Sequence, residues 1–267
     1  MLLRTERQPE TDASPPPAHL RRLRLTLADG AHTTVHVALY PLERVDLRVQ
    51  LFPGLAALEG WCAREGVDEA IVGGFYVRPG PTRSAGRRDG KPLGELRTHG
   101  VRRDSVPFIA PWGERRACVQ VTGERVRIAR RDELPAEPAG DLLQAGPLLV
   151  RDGEVVSDEA EGFSAGAEQF DSDITAGRYP RAALGCDGER LIAVACDGRA
   201  DDEAGLTLAE LARALVELGA REALNLDGGG STSLVCGGRL RNTPRESHGV
   251  PLPGGRAIAT ALVFAPR

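Results

Sequence analysis

The sequence predicts an α+β domain, strand-rich and built on mixed sheet, with two principal helices. Three observations predict it. Short runs alternate apolar and polar residues in period two. Asp-Gly pairs turn the chain between several of them. Only two stretches carry the 3.6-residue stripe of an amphipathic helix. At 267 residues the chain can bury one large core, or two lobes sharing one.

Residues 1–19 carry charge and then Ser14-Pro15-Pro16-Pro17, with nothing to bury, and read as a disordered tail. Residues 20–267 read as one domain. Leu23, Leu25 and Leu27 alternate, Asp29-Gly30 turns the chain, and Val35, Val37 and Leu39 alternate back. Val45, Leu47, Val49 and Leu51 make a third strand. The first helix follows, with Leu55, Leu58, Trp61 and Cys62 on one face and Gly66 as its stop. A short strand then ends in IVGGFYVRPG (71–80). Residues 80–105, rich in Gly, Arg and Pro, read as an irregular loop, long enough to be either functional or disordered.

Strands resume at 117–121 and 125–129, and GPLLVRDGEVV (146–156) is a hairpin turning at Asp152-Gly153. Residues 182–199 form another, turning at Asp187-Gly188. Its register sets Cys196 opposite residue 179 or 181, well away from Cys186. The second helix is the better specified: Thr207 and Glu210 form a capping box, Leu208, Leu211, Ala212 and Leu215 form the stripe, and Gly219 ends it. Glu222 to Leu226 is a buried strand.

Composition narrows the partners. A formal charge of -4 gives no basic face for nucleic acid or an anionic membrane. No run reaches the length of a membrane span, and the N-terminus lacks the apolar stretch of a signal peptide. The five cysteines include no CxxC, so neither a zinc ribbon nor a redox pair is signalled. A reduced, cytoplasmic setting is the expectation. His32 and His36 are four apart but on a strand, without a third ligand, so no metal site and no cofactor are predicted. Oligomeric state is not legible.

The chemistry concentrates in ALNLDGGGSTSLV (223–235). A buried strand runs into Asp227, then Gly228, Gly229 and Gly230, then Ser231, Thr232 and Ser233. Successive glycines let backbone amides converge into a nest for anionic oxygen, phosphate above all, with the Ser231 and Thr232 hydroxyls as further donors. The stretch lacks the Lys of a P-loop and is not itself a G-x-S-x-G elbow. Asp197, in ACDGR, likewise ends an apolar run and precedes Gly198. If the two strands share a sheet edge, Asp197 and Asp227 form a carboxylate pair suited to glycosidic-bond chemistry. Arg181 and Arg199 are candidate phosphate forks.

These residues resemble the phosphodiester glycosidase domain family, named for the lysosomal enzyme that uncovers mannose 6-phosphate by removing N-acetylglucosamine. The matching pieces are IVGGFY (71–76), AGPLLVRDGEVV (145–156), YPRAALG (179–185), LIAVACDGR (191–199), the run 205–235 and RLRNTP (239–244), so the resemblance spans about 70–265. It implies hydrolysis of a sugar-1-phosphodiester at the glycosidic bond, releasing an N-acetylglucosamine-like sugar and a phosphomonoester. Asp197 and Asp227 would be catalytic. Arg181, Gly198, Arg199, Asn225, Gly228, Gly229, Gly230, Ser231, Thr232, Gly73, Gly74 and Phe75 would bind a small sugar-phosphate substrate. The chain departs from the pattern at Val72, where the family usually has Asn. Two other classes stay open: a catalytically silent sugar-phosphate or nucleotide-sugar binder, and a metal-dependent phosphodiesterase ligating through the two aspartates.

Overall fold

The structure, a computed structural model, describes residues 6–7, 18–78, 90–109, 112–156 and 177–267. In chain order the first strands are β1 (Glu6–Arg7), β2 (His19–Thr26), β3 (His32–Pro41), β4 (Val45–Ala56), β5 (Ala70–Val72), β6 (Leu96–Thr98) and β7 (Val101–Arg102). Then come β8 (Ala117–Thr122), β9 (Arg125–Arg130), β10 (Asp141–Gln144), β11 (Leu148–Arg151) and β12 (Glu154–Val155). The last group is β13 (Arg181–Cys186), β14 (Arg190–Cys196), β15 (Glu222–Asn225), β16 (Leu234–Cys236), β17 (Arg239–Leu240) and β18 (Ile258–Pro266). The helices are α1 (Leu58–Glu65), the single turn α2 (Trp112–Arg115) and α3 (Leu208–Glu217).

The strands form an eight-stranded sheet in the order β1-β2-β3-β14-β13-β15-β11-β12, and two five-stranded sheets, β7-β6-β10-β8-β9 and β17-β16-β5-β18-β4. Every ladder between these strands is antiparallel. Among the described residues, parallel pairing is confined to the bridge between Leu93 and Val106. The strand-rich α+β class expected from sequence is the observed one.

Period-two alternation decides what each face covers. In β14, Leu191, Ala193 and Ala195 enter the core shared with the β4–β5–β18 sheet, while Ile192, Val194 and Cys196 turn to the opposite side. There they meet Leu208, Leu211, Ala212 and Leu215 of α3. The central strands of the large sheet are therefore buried on both faces, while β2 and β12 at its margins are largely exposed. Helix α3 begins as its sequence requires: Thr207 Oγ1 accepts the Glu210 amide at 3.1 Å, and Glu210 Oε2 accepts the Thr207 amide at 2.9 Å. The β13–β14 hairpin sets Arg181 opposite Cys196, one of the two expected registers.

Several expectations are corrected. The first helix starts at Leu58 rather than Leu55, because β4 runs through Ala56 to pair with Ile258 of β18. The stretch read as an irregular loop, 80–105, contains β6 and β7, and β6 is buried against β10; residues 79–89 lie outside the described residues. Of the expected tail, most also lies outside them, but Glu6 and Arg7 pair with Arg24 and Leu23, and Ala18 is already buried. Among the described residues no helix is long and apolar enough to cross a membrane.

All five cysteines are free and buried. Burial pushes the Cys62, Cys196 and Cys236 thiols up to about 12 and raises Cys118 and Cys186 as well. The thiolate is the reactive form, so the native protein is expected to resist an aromatic disulfide reagent at pH 8. All five thiols should react after denaturation. Rapid labelling of the native protein would contradict the burial.

Candidate active site

Strand β13 lies between β14 and β15 and runs antiparallel to both. Strands β14 and β15 therefore run parallel to each other and end at the same sheet edge. Asp197 follows the first, Asp227 the second, and Pro180-Arg181 enters between them. Two strand spacings separate the aspartates' backbones, about 10 Å. The edge is shared as the sequence suggested, although the two strands are not adjacent.

Asp227 is held from below. Its amide donates to the Gly73 carbonyl at 3.0 Å, and its Oδ1 accepts the Gly228 amide at 2.9 Å. Burial pushes its carboxyl up to about 6, against the pull of Ser231, the Gly228 amide, and the charges of Arg256 and Arg78. Ser231 Oγ falls outside full hydrogen-bond geometry, so its pull is a close contact rather than a formed bond. The residue as a whole is half-buried at the sheet edge. Beside it stands Tyr76, whose hydroxyl donates to the Ala257 carbonyl at 2.8 Å. Burial and then the Asp227 charge raise that phenol.

The nest of amides expected at 227–231 is not there. The Asp227 amide goes to Gly73, the Gly228 amide to the Asp227 carboxylate, and the Gly229 amide to the Pro180 carbonyl at 2.8 Å. The Ser231 and Thr232 amides close back on the Gly228 and Gly229 carbonyls at 3.2 Å each, making a 3-10 turn. The glycines serve packing instead. Gly229 takes a φ of 61°, and a Cβ on Gly230 would stand 2.7 Å from Arg256 Nη2. Thr232 Oγ1, Ser233 Oγ and Asn225 Oδ1 are buried with no hydrogen-bond partner among the described residues.

Asp197 is buried, and both carboxylate oxygens are engaged. Oδ2 meets His36 Nε2 at 3.0 Å, and Oδ1 accepts the Thr243 amide at 2.6 Å. Its carbonyl accepts the Thr33 hydroxyl and its amide donates to Thr34. This carboxylate ties β3, β14 and the chain after β17 together. His36, to which the sequence assigns only a place on a strand, is its partner.

The remaining expected residues are engaged in packing and hydrogen bonds within the fold. Arg181 is buried, donating to the Leu206 and Gly177 carbonyls at 2.9 and 3.0 Å. Arg199 has a φ of 60°, donates to the Arg245 carbonyl, and lies 5.5 Å from the Tyr179 ring. A Cβ on Gly198 would meet Pro180 N at 2.8 Å, and one on Gly228 would meet Pro180 O at 3.0 Å. Asn225 points its amide back to the Leu226 carbonyl. Gly73 packs so close to Thr260 that a Cβ would meet its backbone at 2.9 Å, while the Gly74 amide donates to Thr260 Oγ1. Phe75 is buried edge-on to Phe108. The departure at Val72 falls in the core: its side chain is fully buried in β5.

Sequence reasoning missed Tyr76, Arg78, Glu246 and Arg256. Glu246 Oε1 and Oε2 engage Arg256 Nε and Nη2 at 3.1 and 2.5 Å. The Arg256 amide also donates to the Gly230 carbonyl at 3.0 Å, which brings this pair to the Asp227 turn. Among the described residues no group of three or more His, Cys, Asp or Glu side chains is placed to hold a metal ion.

Fold and site together define a strand-rich α+β protein with a desolvated carboxyl set among arginines. A family model for phosphodiester glycosidases matches residues 65–265. The N-acetylglucosamine-1-phosphodiester alpha-N-acetylglucosaminidase of Bos taurus is 30% identical over 200 residues, covering 72% of this chain and 35% of that protein. Its Mus musculus counterpart is 32% identical over 143 residues, covering 51% and 27%. This chain thus spans about a third of the length of these curated relatives. The zebrafish catalytic domain of that enzyme, auto-inhibited by its pro-peptide, superposes with a TM-score of 0.69 at 22% identity, covering 99% of this chain and 88% of the other. A hypothetical protein from Synechocystis superposes at 0.58 with 20% identity, covering 96% and 64%. The chain belongs to the phosphodiester glycosidase family.

Proposed function

We propose that this protein hydrolyses a sugar-1-phosphodiester on the glycosidic side, releasing a free sugar of the N-acetylglucosamine type and a phosphomonoester. One observation carries the reading: Asp227, raised to about 6, stands at the sheet edge under the charges of Arg256 and Arg78. The names of the curated relatives support the reaction class. The arginines offset the charge of the phosphodiester. Asp227 then takes a proton from the water that attacks the anomeric carbon. The new C–O bond forms as the bond to the phosphate oxygen breaks, and the electron pair leaves with the phosphate. A phosphomonoester departs as an anion without help, whereas water must lose a proton, so the base role falls to Asp227. Asp197 is a positioning residue, fixing the edge through His36 and Thr243.

The pH profile tests this. kcat/KM against a sugar-1-phosphodiester should rise with pH through a midpoint near 6, falling about tenfold per unit below it. A bound anion disfavours the carboxylate, so the midpoint in kcat should lie above that in kcat/KM. No free sugar from a panel of such diesters would end the proposal. A limb that falls above pH 6 would remove Asp227 from the role of base.

A further inference from the structure

With the glycine turn closed on itself, the anion must be met elsewhere, and the surroundings of Glu246 mark where. Its carboxylate grips the Nε–Nη2 edge of Arg256 with both oxygens, the edge on which a guanidinium receives a phosphate. The hydrogen bond from Arg256 holds the Glu246 carboxyl below the usual range, with the charges of Arg256, Arg78 and Arg199 acting in the same sense against its burial. One arginine thus grips the carboxylate beside the Asp227 turn, and the charges of two more act on it. We propose that Glu246 occupies the phosphodiester subsite in the unliganded protein, and that an anionic ligand enters by displacing it from Arg256.

The contrast with Asp197 supports displacement. Asp197 is locked by a backbone amide and a buried imidazole. The Glu246 carboxylate takes no backbone amide among the described residues, and its side chain is 38% exposed while that of Arg256 is 13% exposed. The main chain of its turn is fixed independently, by Glu246 N to the Val250 carbonyl, Gly249 N to the Glu246 carbonyl and Leu252 N to the Pro244 carbonyl. Rotation of one side chain therefore opens the fork without moving the loop. The main chain of Arg256 is anchored through its amide on Gly230, and its guanidinium packs over the Cβ-free face of that glycine.

The inference rests on the proposed function only for the ligand's chemistry, and its test involves no turnover. Inorganic phosphate is titrated calorimetrically into the wild type, Glu246→Gln and Glu246→Asp at 0.15 M salt, where distant charges are largely screened. Removing a partly exposed competing carboxylate should tighten phosphate binding about fivefold or more. The aspartate, too short to span the fork, should bind phosphate more tightly than wild type. In an Arg256→Gln background the Glu246→Gln gain should vanish. Unchanged or weaker binding in both Glu246 variants would overturn the proposal, since Glu246 would then be holding Arg256 rather than occupying its seat. A gain that persists without Arg256 would also overturn it. Failure to release sugar from a diester would bear on the reaction and leave these affinities where they stand.

Discussion

Asp227→Asn is expected to abolish nearly all turnover and, at the same time, to make the protein harder to melt. Loss of a general base lowers kcat by about 10²- to 10⁴-fold. The stability gain follows from linkage. The folded carboxyl sits at about 6, above its ordinary value of 3.8, so the native state binds more protons than the unfolded chain between those values. Wild-type stability therefore falls as pH rises from about 4 to 6 and stays reduced above that. Discounted for partial exposure, a rise of this size costs about 2 kcal/mol at pH 7. The asparagine escapes this penalty and still accepts the Gly228 amide through its Oδ1. Its Tm should exceed that of the wild type by roughly 4–8 °C at pH 7, with the gap closing by pH 4. Melting scans at both pH values decide the matter; equal or lower melting of the variant at pH 7 would show that Asp227 carries no desolvation penalty.

The second large effect concerns Asp197, and it separates two roles. Truncation to alanine strands the His36 imidazole and the Thr243 amide in a buried place, which costs about 3–5 kcal/mol. Asp197→Asn keeps the shape: Oδ1 accepts from Thr243 while Nδ2 donates to His36. That variant should unfold within about 1.5 kcal/mol of wild type and keep at least a tenth of its activity. A nucleophile or proton donor would not survive the same exchange. A folded but inactive Asp197→Asn would therefore move Asp197 from positioning into the chemistry. Denaturant melts run beside sugar-release assays give both readouts.

Legibility in the sequence tracked how local each signal is. The capping box at Thr207 and the β13–β14 hairpin are set by neighbours in the chain; the first was readable outright and the register of the second to within two choices. Strand β18 was missed because Ile258–Pro266 follows an irregular proline- and glycine-rich stretch rather than a hairpin partner, and pairs with β4 and β5 far back in the chain. Asp227 was readable because a buried strand that ends in an acid followed by three glycines is unusual. The partners of its turn were not, since the carbonyls of Gly73 and Pro180 arrive from separate segments and take the very amides that a nest would need. Nothing local distinguished Asp197 from Asp227; His36, on β3, makes the difference. Glu246 and Arg256 sit in a stretch rich in proline and glycine, where no motif pairs them.

The placement of β18 also shapes how the molecule is made. It fills the gap between β5 and β4 in its sheet, yet those neighbours are synthesised far earlier. Until residues 258–266 leave the ribosome, both flanking strands present unsatisfied edges, and the interior they cover lacks Leu262 and Phe264. Closure over so long a stretch is slow by its topology, and open edges in the interval invite association between nascent chains. Chaperone demand during expression is thus written into the strand order.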